Sequence, residues 1–197
     1  MNSIDNLLNG YQRFYHKYYV ENPETYQNLV INGQSPHTLV IACSDSRVDP
    51  SIILNTQPGD IFVIRNVANL VPPFENDQIN CHGTSAAIEY AVNGLGVENI
   101  IILGHSCCGG IHSLLSEKKE DHAFIGAWLS IAKEAKQIAE TTTHNSEERH
   151  HCCEKEAIKV SLNNLMTFPF IAERVKHNKL KLFGWYFNLA SGEIEKI

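Results

Sequence analysis

Apolar positions follow two rhythms along this chain. Ile4, Leu7, Leu8, Tyr11, Phe14, Tyr15 and Tyr18 recur every three or four residues, the spacing of one helical face, with Ser3 as its predicted cap. A face that apolar must cover either its own sheet or a neighbouring subunit. Pro23 ends this helix, a shorter one over about residues 24–30 follows, and Gly33-Gln34-Ser35-Pro36 turns the chain. The second rhythm is continuous. Residues 38–42, 60–65 and 99–103 are β-branched and apolar almost throughout, which predicts strands buried on both faces.

Between these runs, Pro50 opens a short helix, and the paired prolines of 66–73 predict an ordered loop without regular structure. Residues 83–93 read as a helix rich in Ala86, Ala87 and Ala91, stopped by Gly94 and Gly96. Further helical patterns cover 111–115, 123–140 and 147–168, the last interrupted by Pro169 and resuming to 176. The polar stretch 141–148 is the most loop-like, and 180–187 with 193–197 read as a closing hairpin. Strands separated by helices predict an α/β fold: a mainly parallel sheet flanked by helices, with an antiparallel edge hairpin.

Composition narrows the function. With 197 residues, 43% of them hydrophobic, the chain suits one core, so residues 1–197 are expected to form a single domain. A net charge of -6, with 16 scattered Lys and Arg, argues against nucleic acid or an anionic membrane as partner. No basic segment followed by an apolar core opens the chain, and a cytoplasmic location is expected. Six cysteines, four in the pairs Cys107-Cys108 and Cys152-Cys153, suit reduced thiols and metal ligation better than a disulfide framework.

The chemistry gathers where two strands end. Cys43-Ser44-Asp45-Ser46-Arg47 follows the first strand; in extended chain Cys43, Asp45 and Arg47 share one side, so the guanidinium could grip the carboxylate and keep it ionised. Gly104-His105-Ser106-Cys107-Cys108-Gly109-Gly110 follows the third strand, offering an imidazole and a thiol at a glycine-rich turn into a helix. Two thiolates and one imidazole are a common zinc set, with the fourth tetrahedral position left to water or to Asp45.

Cys-x-Asp-Ser-Arg at 43–47, Arg65-Asn66-Val67-Ala68-Asn69 and His105-x-x-Cys108-Gly109-Gly110 together resemble the β-class carbonic anhydrases. The likeness runs from about 34 to 110, and more weakly through Cys153-Glu154-Lys155-Glu156-Ala157 and Asn163-Asn164-Leu165 to the final hairpin. It implies zinc on Cys43, His105 and Cys108, an Asp45-Arg47 dyad, and reversible hydration of carbon dioxide to bicarbonate and a proton by zinc-bound hydroxide. It also implies a homodimer or homotetramer in which the first helix packs on a partner subunit.

The plant-type subtype is the nearer likeness. Gln34, Phe62, Val67 and Tyr90 fall where that subtype lines its substrate pocket, with the Gln34 amide and the Gly109 N–H as bicarbonate contacts. The other subtype has a Trp three residues before the first zinc Cys, where this chain has Val40. Two thiolates neutralise the metal charge and acidify water less than three imidazoles, so activity is expected to rise with pH.

Other signals have plainer readings. His150-His151-Cys152-Cys153 falls in a helical pattern that points neighbours apart, Cys107 reads as a packed thiol, Cys81-His82 as a turn with His82 a weak proton-shuttle candidate, and Trp185 as core. Two rival functions remain: hydrolysis of carbon disulfide or carbonyl sulfide on the same scaffold, and a non-catalytic zinc-binding or thiol redox protein.

Overall fold

Five strands make the sheet: β1 (Thr38–Cys43), β2 (Ile61–Asn66), β3 (Asn99–His105), β4 (Lys181–Phe187) and β5 (Ile194–Lys196), in the order β2-β1-β3-β4-β5. All neighbours are parallel except β4 and β5, which form the antiparallel edge pair. The computed structural model describes residues 2–76, 82–116 and 123–197.

The helices are α1 (Ser3–Tyr15), α2 (Glu24–Asn32), α3 (Pro50–Ile53), α4 (Gly83–Glu89), α5 (Gly109–Leu115), α6 (Ile125–Leu129), α7 (Lys133–Thr142), α8 (Ser146–Leu165) and α9 (Pro169–Lys176). Several details depart from the pattern reading. Asn2, not Ser3, caps α1: its side chain accepts the Asp5 N–H while Asp5 accepts that of Asn2, a reciprocal box that Ser3 is one residue too late to form. Looser π-helical turns extend α1 over His16–Glu21 and α4 over Tyr90–Gly94. The expected helix over 123–140 is divided by a 3-10 turn at Ser130–Ala132. The loop after β2 also contains one regular turn, Val67–Asn69, because the Asn66 side chain bonds both the N–H and the carbonyl of Leu70.

β1 is buried from Leu39 to Cys43, as its unbroken apolar run requires. Leu39, Ile41, Ile100 and Ile102 pack one sheet face against Ile88 of α4, Ile158 and Leu165 of α8, and Ile171 of α9. The other face carries Val40, Ala42, Ile101 and Leu103 beside Leu54 and a half-buried Trp185. α1 buries no residue, and Ile4, Leu7 and Leu8 are each more than half exposed. Among the described residues no helix is long and apolar enough to cross a membrane.

Candidate metal centre

From the interior strand β1 the chain steps outward to the edge strand β2 and then returns past β1 to the central β3, so the strand order reverses between β1 and β3. Parallel sheets open a crevice at the carboxyl ends of their strands at such a point. Cys43 ends β1, His105 ends β3, and Cys108 is the residue before α5. Their ligand atoms all lie within 4.8 Å of one another, and all three residues are buried.

The donor set fits zinc. The Sγ atoms of Cys43 and Cys108 are 4.0 Å apart, where tetrahedral zinc with bonds of about 2.3 Å would hold two sulfurs about 3.8 Å apart. His105 Nδ1 is 2.9 Å from the Ser106 carbonyl oxygen, which fixes the tautomer that donates from Nδ1. Its Nε2 lone pair is buried without a hydrogen-bond partner, beside the two sulfurs. The Cys43 thiol is lowered to about 4, first by the hydrogen bond its sulfur shares with that of Cys108. Cys108 is pushed up by the same contact with Cys43 and by burial, so the two thiols lose their protons as a pair rather than independently.

Asp45 and Arg47 form the expected pair, by a different backbone geometry. The chain is not extended here: the Val48 N–H donates to the Asp45 carbonyl at 3.1 Å and closes a turn. Asp45 Oδ1 accepts the backbone N–H of Arg47 at 3.0 Å and its Nε–H at 2.9 Å, while Oδ2 accepts Nη2 at 2.7 Å. A side chain that bonds the backbone two residues on favours the turn over continued strand. The Arg47 guanidinium holds the Asp45 carboxyl well below the usual carboxylate range. Arg47 Nη2 also donates to the Cys107 carbonyl at 3.1 Å, joining the two ligand loops.

The candidate pocket residues divide into two groups. Val67 stands by the metal end, its Cγ1 only 2.9 Å from where a Cβ on Gly110 would lie, and Gly109 opens α5 there. Phe62 pairs with Leu39, four residues before Cys43 on β1. At about 3.3 Å per residue that is roughly 13 Å from the metal end. Tyr90 packs on Phe62, ring centroids 5.9 Å apart, so these two lie toward the amino end of the strands, and Gln34 stands four residues before β1 begins.

Cys107 is exposed rather than packed, at φ 58°, because the turn points its side chain away from the ligand pair. His150 and Cys152 ride on α8 and join no metal-binding group among the described residues, and Cys153 is pushed up to about 12 by burial. Cys81 lies outside the described residues. His82 lines a cavity with Phe74, Glu89 and Phe168.

The residues that hold the loops have no role assigned by pattern, although Arg65 and Glu154 stand in the motifs at 65–69 and 153–157. Arg65 donates to the carbonyls of Cys43 (3.0 Å) and Asp45 (2.7 Å) and to Asp49 Oδ2 (2.9 Å). The Trp128 indole donates to the Val67 carbonyl at 2.8 Å. Glu154 accepts the Cys108 N–H at 2.9 Å. One signal for Glu154 was available: it shares the helical face of Ala157, Ile158 and Ser161, where a charge needs a partner.

The family model described as carbonic anhydrase matches residues 38–194. The chain is 42% identical over 197 residues to "Beta carbonic anhydrase 5, chloroplastic" of Arabidopsis thaliana, covering 98% of this chain and 64% of that protein. The chain belongs to the plant-type β-carbonic anhydrases. It is 39% identical over 203 residues to "Beta carbonic anhydrase 3" of the same plant, covering 99% of this chain and 77% of that protein. It therefore spans less than two thirds of the first relative's length. Among solved structures, one of two tetrameric β-carbonic anhydrases from Sordaria macrospora superposes with a TM-score of 0.88 at 31% identity, covering all of this chain and 98% of that one. The carbonic anhydrase match contains the three candidate ligands, the dyad, Arg65 and Glu154, while α1, α2 and Gln34 precede it.

Proposed function

We propose that the protein interconverts carbon dioxide and bicarbonate, with zinc held by Cys43, His105 and Cys108. The observation that carries this reading is the unpartnered, buried Nε2 of His105 converging with two sulfurs beside a carboxylate locked by Arg47. Bound there, zinc would act as a Lewis acid, lowering the pKa of water so that a nucleophile exists near neutral pH.

Arg47 keeps Asp45 ionised and directed away from the ligand set. A carboxylate offers about four lone-pair sites. Arg47 occupies two on Oδ1 and one on Oδ2. The remaining Oδ2 lone pair can accept a hydrogen from the attacking water and set its orientation toward the substrate carbon. Val67 supplies an apolar wall suited to a small nonpolar gas, and the Gly109 N–H a donor for the bicarbonate product.

A second copy of the chain completes the pocket in this proposal, bringing Gln34, Phe62 and Tyr90 to the metal end of its neighbour. Their distance from Cys43 within one chain and the exposed apolar face of α1 support a homodimer, or a homotetramer like that named for the Sordaria protein. The free described thiols fit a reducing compartment, for which we propose the cytoplasm. Fractionation that finds the protein in a plastid, the compartment named for the first relative, would overturn that location.

Zinc content and stopped-flow hydration of wild type and Asp45→Asn test the activity. Zinc in both proteins, with hydration in the wild type alone, is the expected result. A zinc-loaded wild type without hydration refutes the reading and leaves the non-catalytic alternative. Parallel assays on carbonyl sulfide and carbon disulfide test the sulfur substrates, and faster turnover of either overturns the assignment.

A further inference from the structure

The mechanism above leaves a buried carboxylate unused. The Glu154 side chain is 2% exposed, and a carboxylate so far from water is costly unless hydrogen bonds replace its hydration. Both of its oxygens are served. Oε1 accepts the backbone N–H of Cys108 at 2.9 Å, and Oε2 accepts the Tyr186 hydroxyl at 2.7 Å. With its proton given to Glu154, Tyr186 accepts in turn from His151 Nδ1, 2.8 Å away. Every donor in this chain points toward Glu154. A glutamine would keep one acceptor and turn an NH2 toward the other donor.

The peptide between Cys107 and Cys108 is gripped at both ends. Its carbonyl oxygen accepts from Arg47 at 3.1 Å, and its N–H donates to Glu154. Cys107 sits at φ 58°, a backbone region that costs a side-chain-bearing residue energy and persists only when its surroundings hold it. The next side chain is that of Cys108, and the direction of its Sγ follows the orientation of this peptide.

Two glycines bring Glu154 within reach. A Cβ on Gly104 would lie 2.7 Å from Ile158 Cδ1, and one on Gly184 would lie 2.8 Å from Ile158 Cγ2. The bare backbone of β3 and β4 therefore lets α8 lie close to the sheet, and Glu154 is one helical turn before Ile158 on the same face. Helix depth, carboxylate and peptide form one connected support for the second ligand loop.

Resting on the reading of Cys43, His105 and Cys108 as the zinc ligands, we infer that Glu154, braced by Tyr186, is a positioning residue that fixes the Cys107–Cys108 peptide and thereby aims the Cys108 thiolate at the metal. It touches neither substrate nor metal and acts through Cys108.

The test compares wild type, Glu154→Met, Glu154→Gln and Tyr186→Phe by zinc competition against a chromophoric chelator, by the cobalt(II) spectrum, and by melting without metal. Glu154→Met is expected to weaken zinc binding by at least about tenfold, the usual scale for losing an outer partner of a ligand, and to shift the cobalt–thiolate band. Glu154→Gln, which can still accept the Cys108 N–H, retains the wild-type band and most of the affinity. Tyr186→Phe falls between the two. Wild-type affinity and spectrum in Glu154→Met overturn the inference, as does Glu154→Gln failing as completely as Met. If Glu154→Met does not fold, Tyr186→Phe decides: a shifted band supports the bracing role and an unchanged one refutes it. A wild type that binds zinc and shows the thiolate band but hydrates no carbon dioxide refutes the proposed activity and leaves this inference standing. A wild type with no thiolate band overturns the ligand reading, and this inference with it.

Discussion

The two ligand loops are held in opposite ways. The loop after β1 carries most of its own support: Asp45 and Arg47 are two residues apart, Asp49 caps α3, and Arg65 reaches over from the adjacent strand. The loop after β3 depends on distant chain. Its Cys108 N–H is taken by Glu154, 46 residues away, and its Ser106 Oγ accepts the Leu189 N–H, 83 residues away. The first loop can be shaped by local sequence, whereas the second exists only once α8 and β4 have docked. Arg47 links the two through the Cys107 carbonyl.

That link makes Arg47→Ala the most damaging change. Hydration should fall by at least about two orders of magnitude, since an oriented charge at a reacting centre is worth that much. Zinc should be retained, Asp45 turning toward the metal once the guanidinium is gone. Stopped-flow rates with metal analysis check this, and a variant that loses its zinc or keeps wild-type rates defeats the role. Arg65→Met comes next. It removes three hydrogen bonds from the first loop, at a cost of about 3 kcal/mol in unfolding free energy. If the first loop is supported mainly by its own strands, the cobalt spectrum of the loaded Arg65→Met protein should stay closer to wild type than that of Glu154→Met.

Gly110→Ala tests where the loops meet. A Cβ there would lie 2.9 Å from Val67 Cγ1 and 3.0 Å from the Ala68 Cβ. The pocket wall must shift, and hydration should drop about tenfold through misplacement of the substrate. A rate within twofold of wild type would mean that Val67 does not border the reacting centre.

The same contrast governs what was legible in the sequence. β1 and β3 could be read because strands covered on both faces need unbroken apolar runs, and such runs are local; β2 carries the same kind of run but lies at the sheet edge with only Ile64 buried, so its expected burial on both faces does not hold. The three ligands were legible because each sits at the end of a strand or at a glycine turn. The Asp45–Arg47 pair was found although its backbone was misjudged, since a turn keeps residues i and i+2 close just as a strand does. The roles of Glu154, Tyr186 and Trp128 are not legible in the sequence, because their partners lie 32 to 61 residues away and only the packed fold brings them together. The separation of Phe62 and Tyr90 from Cys43 likewise depends on strand register, which hydrophobic pattern alone does not number.

The mildest change probes the long-range half most directly. Gly184 lies on β4, away from every candidate ligand, and a Cβ there would meet Ile158 Cγ2 at 2.8 Å, Leu162 Cδ1 at 3.0 Å and the Ile197 Cβ at 3.3 Å. Only the Leu162 atom ends a flexible side chain, whereas the buried Ile158 methyl is fixed to a β-branched carbon and moves only with the helix, so Gly184→Ala should cost about 2 kcal/mol of stability by chemical denaturation. Its informative effect is elsewhere. Lifting α8 by a few tenths of an ångström lengthens the Glu154 bond to Cys108 while leaving the first loop untouched. Zinc affinity should therefore fall measurably, though by less than in Glu154→Met, with the Asp45–Arg47 pair unaffected. Stability lost with zinc affinity unchanged would show that the depth of α8 does not set the reach of Glu154, and that the second loop is as self-supporting as the first.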